Sequence, residues 1–330
     1  MALTLAEAKV GYADKVEQNV IDEFRRSSIL LDKLTFDDTI SPTGGSNLVY
    51  GYQRLETPST ASVRQINAEY SPNEAKRTKC TASPVILGGS FQIDRVIAQT
   101  SGAINEMDFQ IKEKTKAGAN YFHNLVINGT SASSGTGYVP NTFDGLKKIL
   151  TGKSTEMTTD IDISTSALLD SNCNALLDEL DTFIALLAAK PDVLMMNSKM
   201  LTKVKSAARR AGYYDRNKDD FGRTVETYNG IILMDAGQYY NGSTTEDVVS
   251  TSTPSSDAYG TTDIYAAKLG LDAFHGISVD GSKMLKTYLP DLQAPGAVKT
   301  GEVELIAGAV LKNSKMAGVL KGIKLLGKTA

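Results

Sequence analysis

A chain of 330 residues, 41% hydrophobic and 22% charged, has an ordinary globular composition and is long enough for one large domain or two subdomains with sizeable cores. Its net charge of −3 excludes a basic footprint for nucleic acid over the whole surface and leaves only local basic faces. Two histidines and two well-separated cysteines, Cys80 and Cys173, supply neither a disulfide framework nor a cysteine pair at metal-ligand spacing.

The first residues, Met-Ala-Leu-Thr-Leu-Ala-Glu-Ala-Lys, carry no basic region followed by an apolar one, so no signal peptide is expected. The longest apolar runs, such as Phe183 to Ala189, fall far short of a membrane span. Residues 5–34 read as largely helical, with Ala13, Val16, Val20 and Phe24 at helical spacing. Two readings stay open there: a packed amphipathic helix, or an N-terminal arm that docks on a neighbouring molecule.

The stretch from Gly45 to Asp94 is the most telling. Leu48-Val49-Tyr50 and Tyr52 begin one strand-like arm, and Val85-Ile86-Leu87 with Phe91-Gln92-Ile93 end another. About thirty mostly polar residues lie between, too few of them apolar to make a core. Two arms of roughly twenty residues reach at most about 60–70 Å when extended, and an isolated hairpin is marginal in water. Glycine pairs at 44–45 and 88–89 are expected to act as its hinges.

From Ala103 to Ile127 the period turns helical, with Ile104, Met107, Ile111, Gly118, Phe122 and Leu125 on one side. Asn128-Gly129 is expected to end this helix in left-handed geometry, and His123 on it reads as a packing or solvent residue. After a Ser/Gly/Thr-rich link over 130–142, a second stripe runs through Leu169, Cys173, Leu176, Leu177, Leu180, Ile184 and Leu187. Lys190-Pro191 stops it. Val193–Met196 reads as a short buried strand, Ser198 as a helix N-cap, and Met200 to Gly212 as another helix. Strands follow at Ile231–Met234 and Ile264–Leu269, which makes a mixed α/β unit. Its two interruptions are a charged loop over 213–228 and a Ser/Thr-rich insertion over 240–262. The C-terminus returns to strands over 302–311 and 319–326.

No catalytic, cofactor or metal site is expected. Gly322-Ile-Lys-Leu-Leu-Gly327-Lys328-Thr329 matches the phosphate-loop pattern, but that chemistry needs a helix opening after the loop, and the sequence given stops at Ala330. A nucleotide-binding enzyme therefore stands only as a remote alternative. Two histidines and no Gly-x-Ser-x-Gly turn leave little material for a hydrolase triad. Asp160 and Asp162 lack the Gly-bounded loop that calcium needs.

Several blocks, taken in order, resemble the tailed-bacteriophage major capsid proteins of the Hong Kong 97-type fold. They are Gly44-Gly-Ser-Asn-Leu-Val-Tyr-Gly-Tyr-Gln-Arg-Leu-Glu-Thr-Pro58, Gly88-Gly-Ser-Phe-Gln-Ile-Asp-Arg95, Phe143-Asp-Gly-Leu146, Ser206-Ala-Ala-Arg-Arg-Ala-Gly-Tyr-Tyr214, Phe221-Gly-Arg-Thr-Val-Glu226, Lys286-Thr-Tyr-Leu-Pro-Asp291 and Pro295-Gly-Ala-Val-Lys-Thr-Gly-Glu-Val-Glu304. Each block alone is weakly specific, and together they span nearly the whole chain.

The resemblance implies an α+β fold with an N-terminal arm over 1–43 and an extended β-hairpin loop over 44–92. It also implies a peripheral domain over 93–142 and 286–330, containing a long spine helix, and an axial α/β domain over 143–285. The implied role is structural. The chain would self-assemble into pentamers and hexamers, forming an icosahedral head around double-stranded DNA, with an encapsulin-like nanocompartment as the alternative. Implied partners are further copies of the chain, portal and scaffolding proteins, and DNA held non-specifically, with no membrane. The location would be the virion, after assembly in the host cytoplasm. Subunit-interface candidates are Arg54, Glu56, Arg64 and Glu69 on the extended loop, and Arg209, Arg210, Asp215, Arg216, Asp219, Asp220, Arg223 and Glu226 on the axial domain. Mixed signs suit adjoining faces of a closed ring. No long scaffolding segment precedes the arm, so a separate scaffold or a cleaved precursor is implied. Lys76 and Lys79 lie in the loop, but no partner motif for a covalent cross-link is evident.

Overall fold

The computed structural model describes residues 29–37, 49–100, 106–131, 142–212, 215–218, 224–279 and 285–328. Most of the predicted N-terminal helix, the Gly44-Gly45 pair and most of the 130–142 link lie outside them, as do Asp219, Asp220 and Arg223.

A short helix α1 (Ile29–Lys33) and strand β1 (Phe36–Asp37) come first. The hairpin strands β2 (Tyr50–Thr57) and β3 (Lys76–Ala82) follow, then β4 (Val85–Asp94) and helix α2 (Arg95–Thr100). The long helix α3 spans Glu106–Asn128, close to the predicted range. Its buried residues Ile111, Thr115, Ala119, Phe122 and Leu125 recur every three or four positions, so one stripe faces the core. The helix does not end in left-handed geometry at Asn128-Gly129. Gly129 is needed for close approach instead, because a Cβ there would stand 2.3 Å from the Phe143 carbonyl oxygen and 2.5 Å from that of Leu125. The Gly145 N–H donates to the Gly129 carbonyl at 2.8 Å and so closes the link back onto the helix end.

Helix α3 lies against a five-stranded sheet. Its longest strand is β15 (Val298–Leu311), which pairs antiparallel with β4 on one edge. On its other edge it pairs antiparallel with β14 (Leu285–Tyr288) and then with β13 (Phe274–Ser278), and β1 adds parallel to β13. The alternation along β4 buries Val85, Leu87, Phe91 and Ile93 and exposes Ile86, Ser90 and Gln92. The second arm expected at 85–93 therefore belongs to this sheet and not to the excursion. Gly88-Gly89 is no hinge either: it pairs in register with Glu304 and Val303. A Cβ on Gly88 would lie 2.0 Å from the Val303 carbonyl oxygen, so the strand backbones approach too closely for a side chain there.

The second sheet has seven strands in the order β5-β16-β12-β6-β9-β8-β7. These are β5 (Glu156–Thr158), β6 (Val193–Met196), β7 (Asp215–Lys218), β8 (Thr224–Tyr228), β9 (Ile231–Asp235), β12 (Gly260–Ala267) and β16 (Ala317–Leu326). The pleat explains why its centre is apolar on both faces. Leu194, Met196, Ile264 and Ala266 point to one core with helices α5 (Ser166–Ala185) and α6 (Ser198–Arg210). Their neighbours Val193, Met195, Tyr265 and Ala267 point to the other core, shared with α3 and the first sheet. Short helix α4 (Leu146–Leu150) buries Leu146 and Leu150 in that shared core. The small hairpin of β10 (Gln238–Tyr240) and β11 (Thr245–Asp247) stands apart from both sheets.

The N-cap of α6 is Asn197 and not Ser198. Its side chain accepts from the Met200 N–H at 2.7 Å, while its amide donates at 2.9 Å to Thr251 Oγ1 and to Thr262 Oγ1. An amide satisfies the helix end, the buried Thr262 hydroxyl and the half-buried Thr251 hydroxyl at once, which a serine hydroxyl does not. The phosphate-loop match falls largely in β16, where Gly322 to Leu326 are strand. Lys328 Nζ stands 5.3 Å from the Tyr259 ring centroid.

Candidate assembly surfaces

The hairpin of β2 and β3 pairs from Tyr50 opposite Ala82 to Thr57 opposite Lys76. Its eight-residue stem is about 26 Å long, well short of the extended limit of the chain, and residues 58–75 continue beyond it without a ladder. Every residue from 55 to 79 is exposed. Val63 at 100% and Ile66 at 92% receive almost no cover from their own subunit. A two-stranded ladder with both faces wet has no core of its own to hold it.

Only the root of the hairpin is seated. Tyr50, Tyr52 and Arg54 fall at alternate positions and so share one face of β2. Tyr50 is buried and its hydroxyl donates to Asp37 Oδ2 at 2.8 Å. Arg54 donates through Nε to the Lys312 carbonyl at 2.9 Å and through a terminal nitrogen to the Leu311 carbonyl at 3.0 Å. Its guanidinium also stacks 5.7 Å from the Tyr52 ring centre. These contacts clamp the hairpin onto the end of β15. Burial raises the pKa of both Tyr50 and Tyr52, which therefore stay neutral hydrogen-bonding groups.

Of the loop candidates, Arg54 thus spends its donors inside the subunit. Glu56 accepts from Thr78 Oγ1 at 2.6 Å, across the ladder. Arg64 donates to the Ala68 carbonyl at 3.2 Å and lies 5.6 Å from the Tyr70 ring centre, so the far end has a local fold. Glu69 is exposed beside them. Sequence reasoning treated the excursion as polar and missed the apolar Val63, Ile66 and Tyr70. It also missed Tyr50 and Tyr52 as the clamp, although their i, i+2, i+4 spacing with Arg54 was a visible signal.

The axial candidates form a separate group. Helix α6 carries Lys199, Lys203, Lys205, Arg209 and Arg210 and no acid, whereas α5 carries Asp170, Asp178, Glu179 and Asp181 and no base. Arg210 pairs with Asp170, and Lys205 pairs with Glu226 across to β8. Lys203 donates to the Ile163 carbonyl at 2.9 Å. Part of this charge pattern therefore holds the unit together internally. Arg209 is exposed at the end of α6, where a cation meets the negative pole of the helix. Asp215 and Arg216 lie on β7, paired in register with Thr227 and Glu226.

The SU10 major capsid protein family matches residues 76–232, from the second hairpin strand to the start of β9. No curated protein sequence matches the chain. Among solved structures, the holo-SrpI encapsulin complex from Synechococcus elongatus PCC 7942 is similar at a TM-score of 0.59 and 12% identity, covering 100% of this chain and 99% of that one. The capsid of Myoviridae phage XM1 is similar at 0.54 and 11%, covering 89% and 91%. The virus-like particle from Pyrococcus furiosus is similar at 0.52 and 11%, covering 94% and 99%. The fold is therefore the α+β fold of Hong Kong 97-type capsids and encapsulins.

Proposed function

We propose that this chain, a major capsid protein of the Hong Kong 97-type fold, assembles with copies of itself into pentamers and hexamers that close an icosahedral shell around double-stranded DNA. The observation that carries this reading is the hairpin, exposed at every residue from 55 to 79 and clamped only at its root. A second copy supplies the surface that its own subunit does not. In this reading the helix α3 and the five-stranded sheet form the peripheral unit, and the seven-stranded sheet with α5 and α6 forms the axial one. The exposed charges of α5 and α6 then face neighbours around the capsomer axis, where opposite signs select the correct docking. Portal, scaffolding protein and DNA are the further partners, the virion is the destination, and the host cytoplasm is where assembly takes place. No catalytic step is assigned.

The similarity to an encapsulin over the whole chain favours one second reading, a shell around a protein cargo. Electron microscopy of the purified protein tests the shell itself. Closed particles, rings or tubes support it, and uniform monomers under all assembly conditions refute it. Nuclease-protected DNA inside particles from the native source separates a phage head from a cargo compartment.

A further inference from the structure

The outer face of the five-stranded sheet is open along most of its length, but the hairpin root covers one end of it. Strand alternation puts His275 and Ile277 on that face of β13, with Val279 just past its end and Val310 of β15 opposite His275. Tyr50 packs with Ile277, Val279 and Val310 in a small cluster, joined at its margin by Tyr52, Ala82 and Ile306. The Tyr50 ring stands edge-on to the His275 ring, with centroids 5.7 Å apart. His275 is completely buried, and neither ring nitrogen has a hydrogen-bond partner. A buried imidazole without partners is rare, because burial of an unpaired polar group costs free energy that water would otherwise offset.

From this geometry we infer that the hairpin root is a proton-sensitive hinge, in which His275 holds the clamp shut while neutral and favours its release when protonated. The neutral ring is tolerated under Tyr50; an imidazolium there gives up its water and meets only the Ala273 backbone, with no carboxylate in contact. The charged and titratable groups around the imidazole are Asp37 on β1, Tyr50 on β2, Asp272 before β13 and Lys312 after β15, and behind Tyr50 stand Tyr52, Arg54 and Cys80. Burial, and then the positive charge of Lys312, hold the imidazole pKa below its ordinary value, while Asp37 acts in the opposite direction. The sign follows. The closed root binds a proton less readily than an open, hydrated one. Closure is therefore fully favoured above the ordinary histidine pKa and weakens as pH falls through it. For an imidazole that titrates near 6.5 only when open, the opening equilibrium rises by up to about 25-fold between pH 7 and pH 5.

The test uses the full unassembled chain, so it does not depend on shell formation. A cysteine at position 310 (Val310→Cys), with Cys80 and Cys173 replaced by serine, reports opening through its labelling rate with a disulfide reagent active in acid. Rates are normalised to the unfolded chain at each pH. The expected result is a rise from pH 7 to pH 5, with about 25-fold as its upper bound. Adding His275→Phe abolishes the rise, and adding His123→Asn, at the only other histidine, preserves it. Equal normalised rates at both pH values, or a rise lost on His123→Asn, overturn the inference. Should either the Val310→Cys or the His275→Phe chain fail to fold, labelling of the native, half-buried Cys80 in Cys173→Ser and in His123→Asn/Cys173→Ser backgrounds reads the same hinge with the same two outcomes.

Discussion

Replacing residues 58–75 by Asn-Gly separates folding from assembly. Thr57 and Lys76 are already paired, so a two-residue turn closes the same ladder. All the removed residues are exposed, so no core is lost. Shortening the loop from eighteen residues to two lowers its closure entropy by about 1.5RT ln 9, or about 2 kcal/mol in favour of the folded subunit. Assembly moves the other way. Burial of Val63 and Ile66 on a neighbour is worth about 3–6 kcal/mol per hairpin. If ordering of the hairpin consumes half of the larger figure, about 3 kcal/mol remains, more than a 100-fold change in association. Urea unfolding of the unassembled subunit and light scattering across a concentration series read the two effects independently. A variant that unfolds at lower urea would make the excursion part of the core. A variant that assembles at the wild-type critical concentration would remove the hairpin from the interface.

Three further outcomes follow from single sites. Gly88→Val drives a side chain into the Val303 carbonyl and is expected to destabilise the subunit by about 3 kcal/mol in urea unfolding, the upper range for overpacking. Asn197→Ala removes the α6 N-cap and leaves two threonine hydroxyls short of a donor, for a loss of about 2–3 kcal/mol measured in the same way. His123 faces a small cavity lined by Leu30, Met195, Met234 and Val248, and burial lowers its pKa to about 4. The unfolded chain protonates it near 6.5, so its contribution is intact above that pH and falls by up to about 3 kcal/mol as pH drops to 4. Stability against pH for His123→Gln should lack that part of the acid loss, and an unchanged curve would show that His123 is hydrated in the native state.

Long periodic segments were readable from sequence because burial on one side imposes a period that neighbours cannot erase. The stripes of α3 and α5 and the alternation of β15 are of this kind. The absence of a core in the 45–94 excursion was likewise a matter of composition, and residues 55–79 are indeed uncovered. Partner choice was not readable. Val85–Asp94 has the pattern of any half-buried strand, and only its pairing with β15 assigns it to the body of the subunit and shortens the free arm to the β2–β3 hairpin. The same holds for the glycines at 88 and 129, whose role is close approach to a backbone distant in sequence or across a helix end.

The candidate interface residues divide in the same way. Their charge and exposure follow from residue type, but which charge is spent internally depends on what stands opposite. Arg54 meets two carbonyls at the end of β15, and Arg210 meets Asp170. His275 shows the limit most clearly. In the sequence it is one histidine between Phe274 and Gly276, and nothing local marks it. It becomes a buried, unpartnered imidazole only because β13 pairs with β15 and Tyr50, more than two hundred residues earlier, closes over that face. The sequence by itself determined which segments are helical, which are extended and which cannot fold alone, because those depend on local period and composition. The tertiary structure alone decided which extended segments pair and which polar groups lose water, because those depend on contacts between residues far apart in the chain.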